Sequence, residues 1–404
     1  MENKNRIYNI IMLVVVCVAI TAVITSFCTY KYLSENGGVM YAEKNSSLEG
    51  LEETLQNFRA AFEKEYIGEI DDEAMVESAI KGYVSGLGDE YTTYYTKKEM
   101  EDLMEETEGN YVGIGIYISA YKESNEIVII KPMEGSPAEE AGLLPGDIIT
   151  KVDGVEYNGD TIDEMTNKIK GPEGTKVKVE IKRNGQTQEI EVERRKILIS
   201  HIDSKIIEDN IGYISISDFE GGCAQEFEEN YKNLEEQGIE SLIIDIRNNG
   251  GGLVDEAIAI LELITNKGST LLITTDKNEA EEVTKSEKDP IINMPIVLLV
   301  NEYSASASEI MAGALKDNNK ATLVGTTTYG KGVIQKVYPL TDGSGLKMTT
   351  NEYFTPNHNK INKIGIDPDE EIDLPEEVKY KTDITEEEDT QLQKAIEILK
   401  SENN

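Results

Sequence analysis

The sequence predicts an α/β protein, because short apolar strands alternate with helices along residues 198–375. The apolar runs are short enough to be strands covered on both faces, and they occupy residues 242–246, 295–300 and 321–324. Helical patterns separate these runs at residues 254–264 and 306–315. Because parallel strands need crossover connections that are usually helical, this alternation favours helices layered on a sheet.

The composition limits the size and the chemistry of the protein. A chain of 404 residues is too long for one ordinary domain, so we expect two or three. The net charge of −38 opposes binding to nucleic acid and keeps the protein soluble. Only Cys223 follows the N-terminal apolar segment, and His201 and His358 are the only histidines. This count excludes cysteine-based zinc sites and histidine-rich metal sites, and we expect neither metal nor cofactor.

Residues 8–30 contain no charged side chain, and about 20 apolar residues are enough to span a bilayer as a helix. Lys4 and Arg6 precede this segment, whereas Lys31 follows it alone. The positive-inside rule then places the N-terminus in the cytoplasm and the rest of the chain outside. We expect residues 1–30 to be a cytoplasmic stub and a single transmembrane helix in the cell membrane. The alternative is a cleaved signal peptide.

Residues 31–108 are predicted to be a helical region. Ser46 and Glu49 have the spacing of a capping box, and apolar side chains follow at intervals of three and four residues. These side chains are Leu48, Leu51, Leu55, Phe58 and Phe62. A second helix is predicted from Asp72 to Leu87, ending at Gly88. Such a stripe usually forms a core or an interface between subunits.

Residues 109–197 change to a mixed pattern of strands and short helices. Strands are predicted at residues 128–130 and 147–152, and helices at residues 137–142 and 162–169. Alternating apolar residues on both sides of Asn184-Gly185 predict a β-hairpin. After residue 375 the chain is a strongly charged tail, residues 376–404, with one short amphipathic helix at residues 392–399.

Two glycine- or serine-rich loops follow buried strands, where ligands bind in α/β sheets. Residues 245–253 (DIRNNGGGL) expose backbone N–H groups before a helix, which suits an oxyanion hole or an anion site; the alternative is a tight turn. Residues 301–309 place small residues at a helix start, where a serine serves as an N-cap or as a nucleophile. Loop chemistry alone does not choose among Ser304, Ser306 and Ser308.

A third loop, residues 325–332 (GTTTYGKG), nearly matches the phosphate-binding pattern of P-loop NTPases. Gly332 stands where that pattern needs a hydroxyl for Mg²⁺, and the following residues favour a strand. The other interpretation of Lys331 is a general base, because a neutral amine activates serine and burial lowers a lysine pKa.

Several segments together resemble the C-terminal processing (tail-specific) serine peptidases. They are residues 79–87 (AIKGYVSGL), 245–253, 304–309 (SASASE), 328–335 (TYGKGVIQ), 343–350 (GSGLKMTT) and 365–369 (GIDPD). The resemblance covers roughly residues 45–375, and the block at residues 109–197 resembles the PDZ domain of that family. It implies a crotonase- or ClpP-like peptidase core at residues 198–375, with the PDZ domain inserted before it.

The resemblance also assigns roles to residues. It makes Ser306 the nucleophile, Lys331 the general base and Gln335 the group that orients the lysine. The backbone N–H groups of Gly252 and Ala307 would form the oxyanion hole, with Gly251 as the adjacent candidate. The PDZ domain would bind the C-terminal carboxylate of a substrate on the amides of residues 111–116, which include Val112, Gly113, Ile114 and Gly115. Gly250 departs from the family, which often has proline there.

The predicted protein is therefore a membrane-anchored, extracytoplasmic serine endopeptidase. Its expected substrates are proteins or peptides with exposed apolar C-termini, bound by strand addition to the PDZ domain. The N-terminal helices of the family often dimerise, which predicts a homodimer. Two alternatives remain: a PDZ scaffold with an inactive peptidase core, and a P-loop-like nucleotide-binding protein. The intact set of Ser306, Lys331 and Gln335 argues against the scaffold.

Overall fold

The computed structural model describes residues 12, 18, 20–25, 48–107, 110–121, 124–133, 135–379, 381 and 384–402. The chain divides into two compact units, Met1–Ser78 and Ala79–Asn404. Among the described residues, no helix is both long enough and apolar enough to cross a membrane. The predicted anchor at residues 8–30 lies largely outside the described residues.

The first unit contains helix α1 (Leu48–Glu65) and the beginning of helix α2 (Asp72–Ser85). Both helices were predicted. Arg59 on α1 donates to the two carboxylate oxygens of Asp72 at 2.6 and 2.9 Å, which ties the two helices together. Leu48, Leu51 and Leu55 on the predicted apolar stripe are exposed.

The second unit begins with the rest of α2, followed by β1 (Thr93–Tyr95) and α3 (Lys97–Thr107). A mixed region follows, and its elements are β2 (Asn110–Gly113), β3 (Ile116–Tyr121), β4 (Glu126–Pro132), α4 (Pro137–Glu140), β5 (Ile148–Val152), β6 (Val155–Glu156), α5 (Ile162–Ile169), β7 (Lys176–Arg183), β8 (Gln186–Glu193) and β9 (Arg195–Leu198). Its main sheet has the order β3-β4-β5-β7-β8, and β2 pairs with β9. The sheet encloses a core of its own that includes Ile127, Ile149 and Val179.

The predicted hairpin is confirmed as β7 and β8, which pair along their whole length. Asn184 and Gly185 join them with φ of 50° and 78°, the left-handed pair that a two-residue turn of this type requires. At the other end of the sheet, β3 pairs only with β4 and so leaves one edge without a neighbouring strand among the described residues.

The remainder of the second unit is the α/β core. Its elements are β10 (Ile202–Ile207), β11 (Ile211–Ile216), α6 (Cys223–Glu236), β12 (Ser241–Asp245), α7 (Val254–Ile264), β13 (Thr270–Asp276), β14 (Glu281–Lys285), β15 (Ile296–Val300), α8 (Ala307–Asp317), β16 (Thr322–Gly325), β17 (Val333–Pro339), β18 (Gly345–Phe354), β19 (Glu370–Glu371) and α9 (Thr390–Glu402). One six-stranded sheet has the order β10-β11-β12-β15-β16-β19 and is parallel except for β10. A second sheet has the order β1-β18-β13-β14, and β17 also pairs with β18.

The central strands β12 and β15 are buried at every residue, as their continuous apolar sequences predicted. One face packs on α6, α7 and α8, where Ile244 and Leu298 join the largest apolar cluster. The other face packs on α9, where Ile243 and Val297 contact the cluster that includes Leu399. The short helix predicted in the C-terminal segment therefore packs on this side of the sheet, against β15 and β16. Each buried Leu or Ile there contributes about 1.5–3 kcal/mol.

Candidate active site

The three loops singled out by sequence converge at one edge of the parallel sheet. The loop at residues 246–253 follows β12, the loop at residues 301–306 follows β15, and the loop at residues 326–332 follows β16. These strands are neighbours and parallel, so their carboxyl ends lie side by side. The parallel pairing and the order of these strands therefore bring the three loops together.

Ser306 occupies a strained backbone position just before α8. Its φ is 56° and its ψ is −114°, a conformation that non-glycine residues rarely adopt. The Ser306 N–H donates to Oε2 of Glu309 at 3.0 Å, and the Ser306 carbonyl accepts from the N–H groups of Glu309 and Ile310. These bonds hold the sharp turn, as expected where a side chain must project from a strand-to-helix connection.

The structure separates the three serines that loop chemistry left equivalent. Ser304 is fully buried and its Oγ donates to the carbonyl of Ile246 at 2.8 Å. Ser308 is also fully buried and its Oγ donates to the carbonyl of Asn249 at 2.9 Å. Ser306 is only half-buried, and its Oγ donates to no backbone carbonyl among the described residues. Ser304 and Ser308 therefore brace the loops, and Ser306 is the accessible hydroxyl.

The glycine-rich loop packs directly against Ser306. A Cβ on Gly251 would lie 2.8 Å from the Cβ of Ser306 and 3.1 Å from the N of Ala307, so only glycine allows this approach. The Gly251 N–H donates to Oδ1 of Asn249 at 2.8 Å. Within the described residues, the N–H groups of Gly252 and Ala307 have no acceptor. Two free backbone donors thus lie beside the Ser306 side chain, and Gly251 is not one of them.

Lys331 is half-buried, and its Nζ lies 4.6 Å from the centroid of the Tyr91 ring. Burial and the charge of Lys347 lower the pKa of Lys331, while Glu309 and Glu90 oppose this shift. Among the described residues, Nζ forms neither an ion pair with a carboxylate nor a hydrogen bond with Ser306. A lysine in this environment holds its proton less firmly than an exposed one.

Gln335 lies on β17, but its amide faces β18 instead of Lys331. Its Nε2 donates to Oγ1 of Thr349 at 3.2 Å and to the carbonyl of Val333 at 3.4 Å. Within the described part of the chain no hydrogen bond joins Gln335 to Lys331.

Two buried residues that sequence reasoning did not assign join Ser306 to Lys331. Oε2 of Glu309 accepts the Ser306 N–H at 3.0 Å and the Lys331 N–H at 2.8 Å. Oε1 of the same carboxylate accepts from Thr328 Oγ1 and from the Gly330 N–H at 2.6 and 2.7 Å. The hydroxyl of Tyr353 contacts the carbonyls of Ser306 and Lys331. Both residues are therefore held through their backbones by the same two side chains.

A sequence signal existed for Glu309 but not for Tyr353. An acid three residues after a helix-opening serine has capping-box spacing. Burial raises the pKa of Glu309, although hydrogen bonds from Thr328, Gly330, Lys331 and Ser306 act in the opposite direction. Nothing local in the sequence distinguishes Tyr353 from the other residues of β18.

A two-residue loop, Ile114 and Gly115, connects β2 to β3 in the mixed region. The carbonyls of Ile114 and Gly115 accept from the Ala138 N–H and from Ser136 Oγ at 2.9 and 3.0 Å. The N–H groups of Ile114 and Gly115 have no acceptor within the described residues. Gly115 has φ of 74°, and a Cβ there would lie 2.5 Å from the Cβ of Ser136. The loop thus presents free amides next to the open edge of β3.

Comparison with known proteins gives three family matches along the chain. Peptidase family S41 matches residues 210–372, the PDZ domain matches residues 112–193, and the activating protease CtpB N-terminal domain matches residues 15–99. The carboxy-terminal processing protease CtpA of Bacillus subtilis (strain 168) is 34% identical over 363 residues, which are 90% of this chain and 77% of that protein. The chain belongs to peptidase family S41. It is a PDZ-containing, C-terminal processing serine peptidase.

Two further similarities agree with this S41 membership. The probable CtpA-like serine protease of Staphylococcus haemolyticus (strain JCSC1435) is 36% identical over 378 residues, which are 92% of this chain and 74% of that protein. The solved structure of a putative S41 protease from Bacteroides fragilis NCTC 9343 has a TM-score of 0.52 at 16% identity, covering 84% of this chain and 92% of that one. The latter shows the fold alone. The predicted α/β class with a PDZ domain is confirmed.

The phosphate-binding interpretation of the Lys331 loop is wrong for this S41 peptidase. A P-loop lysine opens a helix, whereas Lys331 is followed by strand β17. The flanking glycines serve close packing instead. A Cβ on Gly332 would lie 2.3 Å from the N of Asn362, and one on Gly330 would lie 3.0 Å from the N of Gly365. They let the segment at residues 361–365 lie directly on the lysine loop.

Proposed function

We propose that this S41 peptidase cleaves peptide bonds with Ser306 as nucleophile and Lys331 as general base. The observation that carries the proposal is the placement of Ser306. It is the accessible serine of its loop, held at a strained turn, with the free N–H groups of Gly252 and Ala307 beside it. Donors fixed in this way stabilise the oxyanion of a tetrahedral intermediate, which is usually the largest single contribution to such catalysis.

The base would act as a neutral amine. Burial and Lys347 lower the pKa of Lys331, which raises the fraction of neutral amine near pH 7. In this structure the amine lies on the Tyr91 ring, so its side chain must rotate before it takes the Ser306 proton. Gln335 lies on β17, the strand that follows Lys331. Once its side-chain amide releases Thr349, it would hold the rotated amine of Lys331.

The reaction then follows from these groups. Ser306 Oγ attacks the peptide carbonyl while Lys331 takes its proton, and the N–H groups of Gly252 and Ala307 donate to the oxyanion. Lys331 returns the proton to the leaving amine, which yields an acyl-enzyme. Water activated by neutral Lys331 hydrolyses the ester. No metal or cofactor enters these steps.

The PDZ domain would select substrates by their C-termini. The free amides of Ile114 and Gly115 suit a terminal carboxylate. Val112 and Gly113, at the end of β2, lead directly into this loop. The open edge of β3 suits the backbone of a peptide that adds as a strand. Apolar tail residues are the expected ligands because the neighbouring core side chains, such as Ile118, are apolar.

A single anchor at residues 8–30 would hold the enzyme in the cell membrane with its catalytic part outside the cytoplasm. Protease added to intact cells should then digest the domain that carries Ser306. Digestion only after lysis would contradict this orientation. The exposed leucines of α1 support a homodimer, and mass measurement of the detergent-solubilised chain would decide between monomer and dimer.

The assignment of Ser306 is tested with the full chain in detergent. Wild type should cleave a disordered protein with an apolar C-terminus, and Ser306→Ala should abolish both cleavage and labelling by a serine-directed covalent probe. Ser304→Ala and Ser308→Ala are matched controls that remove loop braces and should keep the labelling. Unchanged cleavage by Ser306→Ala would refute the assignment, and absence of labelling in wild type would favour the inactive scaffold.

A further inference from the structure

Arg247 links the glycine-rich loop to the C-terminal segment. Its Nε donates to both carboxylate oxygens of Asp245 at 3.0 Å, and its Nη2 donates to Asp245 Oδ2 at 2.6 Å. Nη1 donates to Asp389 Oδ1 at 3.0 Å and to Gln391 Oε1 at 2.9 Å, and Nη2 also donates to Asp389 Oδ2 at 2.8 Å. The side chain is only 12% exposed. Charge-assisted, multidentate contacts of this kind fix the orientation of a guanidinium firmly.

Asp389 is itself fixed to the body of the core. Its Oδ1 accepts the N–H of Leu392, and its carbonyl accepts the N–H of Gln393, so it caps helix α9. Gln391 also donates to the carbonyl of Ile372 at 2.9 Å. Helix α9 packs its apolar side on the sheet through residues that include Leu399. The first turn of α9 therefore holds Asp389 and Gln391, while Asp245 holds Arg247 from the end of β12.

The loop that follows Arg247 needs restraint from outside. Asn248, Gly251 and Gly252 have φ of 61°, 111° and 135°, so three of its positions lie in the left-handed region. Such a backbone has several alternative conformations of similar energy unless its neighbours hold it. Asn248, the residue after Arg247, is held by Asn301 of the neighbouring loop through a reciprocal pair of hydrogen bonds at 2.9 Å. Within the loop, the buried side chain of Asn249 donates to the carbonyl of Ile216 and accepts the Gly251 N–H. Arg247 holds the residue at which the loop begins.

We propose that Asp389 and Gln391 are positioning residues for catalysis. They hold Arg247, and Arg247 holds the loop so that the Gly252 N–H points at the oxyanion. The inference rests on the proposed function, because it takes Gly252 as an oxyanion donor. The family S41 match ends at residue 372, so these contacts come from a segment that the match does not cover. The first turn of helix α9 then supports the glycine-rich loop, while the rest of the helix, which includes Leu399, covers the sheet.

The experiment compares three variants of the full chain. The activity of each variant is compared with its loss of melting temperature, so that lost stability is separated from lost catalysis. Asp389→Asn removes one charge from the pair with Arg247. Leu399→Ala loosens the packing of α9 without touching Arg247. Glu388→Gln removes a neighbouring carboxylate that pairs with Lys381 at the surface. Each is assayed for kcat, for KM and for affinity toward a peptide boronate, which forms a tetrahedral adduct with the active-site serine.

Asp389→Asn should lower kcat and boronate affinity at least tenfold with KM within twofold of wild type, and Asp389→Glu should restore part of the loss. Leu399→Ala and Glu388→Gln should leave kcat within about twofold. Hydrogen exchange of residues 246–254 should rise in Asp389→Asn only. If Asp389→Asn does not fold, Gln391→Met is measured instead, and it should lower kcat at least threefold.

The inference is overturned if Asp389→Asn, or Gln391→Met in its place, keeps kcat within twofold. It is also overturned if Leu399→Ala at the same melting temperature loses as much kcat and boronate affinity. These outcomes would leave the Ser306 assignment intact, since that assignment depends on Ser306→Ala alone.

Discussion

Glu309 joins the two proposed catalytic residues through their backbone N–H groups. One of its oxygens accepts the backbone N–H groups of both Ser306 and Lys331, and the other accepts from Thr328 and Gly330. A carboxylate can accept all four bonds, whereas an amide presents an NH₂ group to one of the two pairs of donors. The geometry of the nucleophile and that of the base therefore depend on the same carboxyl group.

We expect Glu309→Gln to lower kcat about 100-fold, since displacement of catalytic groups by about 1 Å costs this much. Leaving a buried donor unpaired should also reduce the free energy of unfolding by about 1–3 kcal/mol. Steady-state kinetics and denaturant unfolding measure the two effects. Glu302→Gln, which changes a half-buried carboxylate in the loop before α8, should have little effect on either. A fully active Glu309→Gln would contradict the proposed role.

Lys347 contributes to the pH dependence of the proposed base. Burial comes first among the causes that lower the pKa of Lys331, and the positive charge of Lys347 comes second. Lys347→Gln removes the like charge, so the pKa of Lys331 rises and the neutral amine forms only at higher pH. The alkaline-rising limb of kcat/KM should move to higher pH. Lys347→Arg keeps the charge and should keep the profile, and an unmoved limb in Lys347→Gln would argue against Lys331 as the base.

At the scale of elements, the tasks proposed for the PDZ loop and for the peptidase core fall on separate sheets. Strand β3 is at the edge of a sheet with its own apolar core, and the loop before it carries the free amides of Ile114 and Gly115. The free donors at Gly252 and Ala307 belong to a different sheet. Binding of a substrate tail and cleavage of its chain can therefore be changed independently.

Gly115→Ala tests this separation. The new Cβ would clash with Ser136 and the left-handed backbone adds strain of about 1–3 kcal/mol, so the loop must shift. KM for a substrate with an apolar tail should rise about tenfold, because 1.4 kcal/mol corresponds to that factor. Cleavage of the same protein with an amidated C-terminus should change little. Gly135→Ala, also left-handed but in open space, is the matched control, and an equal rise in KM there would show that strain alone is responsible.

At the scale of the whole molecule, the net charge of −38 acts on every substrate that approaches. A strongly negative protein repels acidic chains and attracts basic ones over a distance that salt controls, about 10 Å at 0.1 M. The same charge opposes contact with anionic surfaces. Selection among substrates therefore has an electrostatic part besides the recognition of the tail.

Substrates that share a C-terminal tail but differ in the charge of the preceding segment should reveal the electrostatic contribution to substrate selection. At low salt, kcat/KM for a basic segment should exceed that for an acidic one on the order of tenfold. The ratio should approach one as the ionic strength rises, while the dependence on Ser306 stays the same. Competition between the two substrates in one tube at several salt concentrations measures the ratio directly. A ratio that does not respond to salt would assign the preference to local contacts instead.

The sequence by itself determined the central strands and helices of the parallel sheet and the three loops that follow these strands. Apolar periodicity, the Asn184-Gly185 turn and the glycine clusters are local signals, and local signals set strands, helices and their ends. They predicted β12, β15 and β16 and the loops that follow them. The choice of Ser306 among its neighbours and the role of Gln335 came from the family resemblance, whereas the chemistry of a buried neutral amine already indicated Lys331 as a base.

Only the tertiary structure decided which groups in those loops are free to act. It buried Ser304 and Ser308, paired the Gly251 N–H, and left Gly252 and Ala307 as donors. It also brought Asp389 to Arg247 across 142 residues of sequence. Such contacts depend on where the sheet places distant segments, and no periodicity within one segment encodes them. For that reason the sequence located the site, and the packing of distant residues determined its geometry.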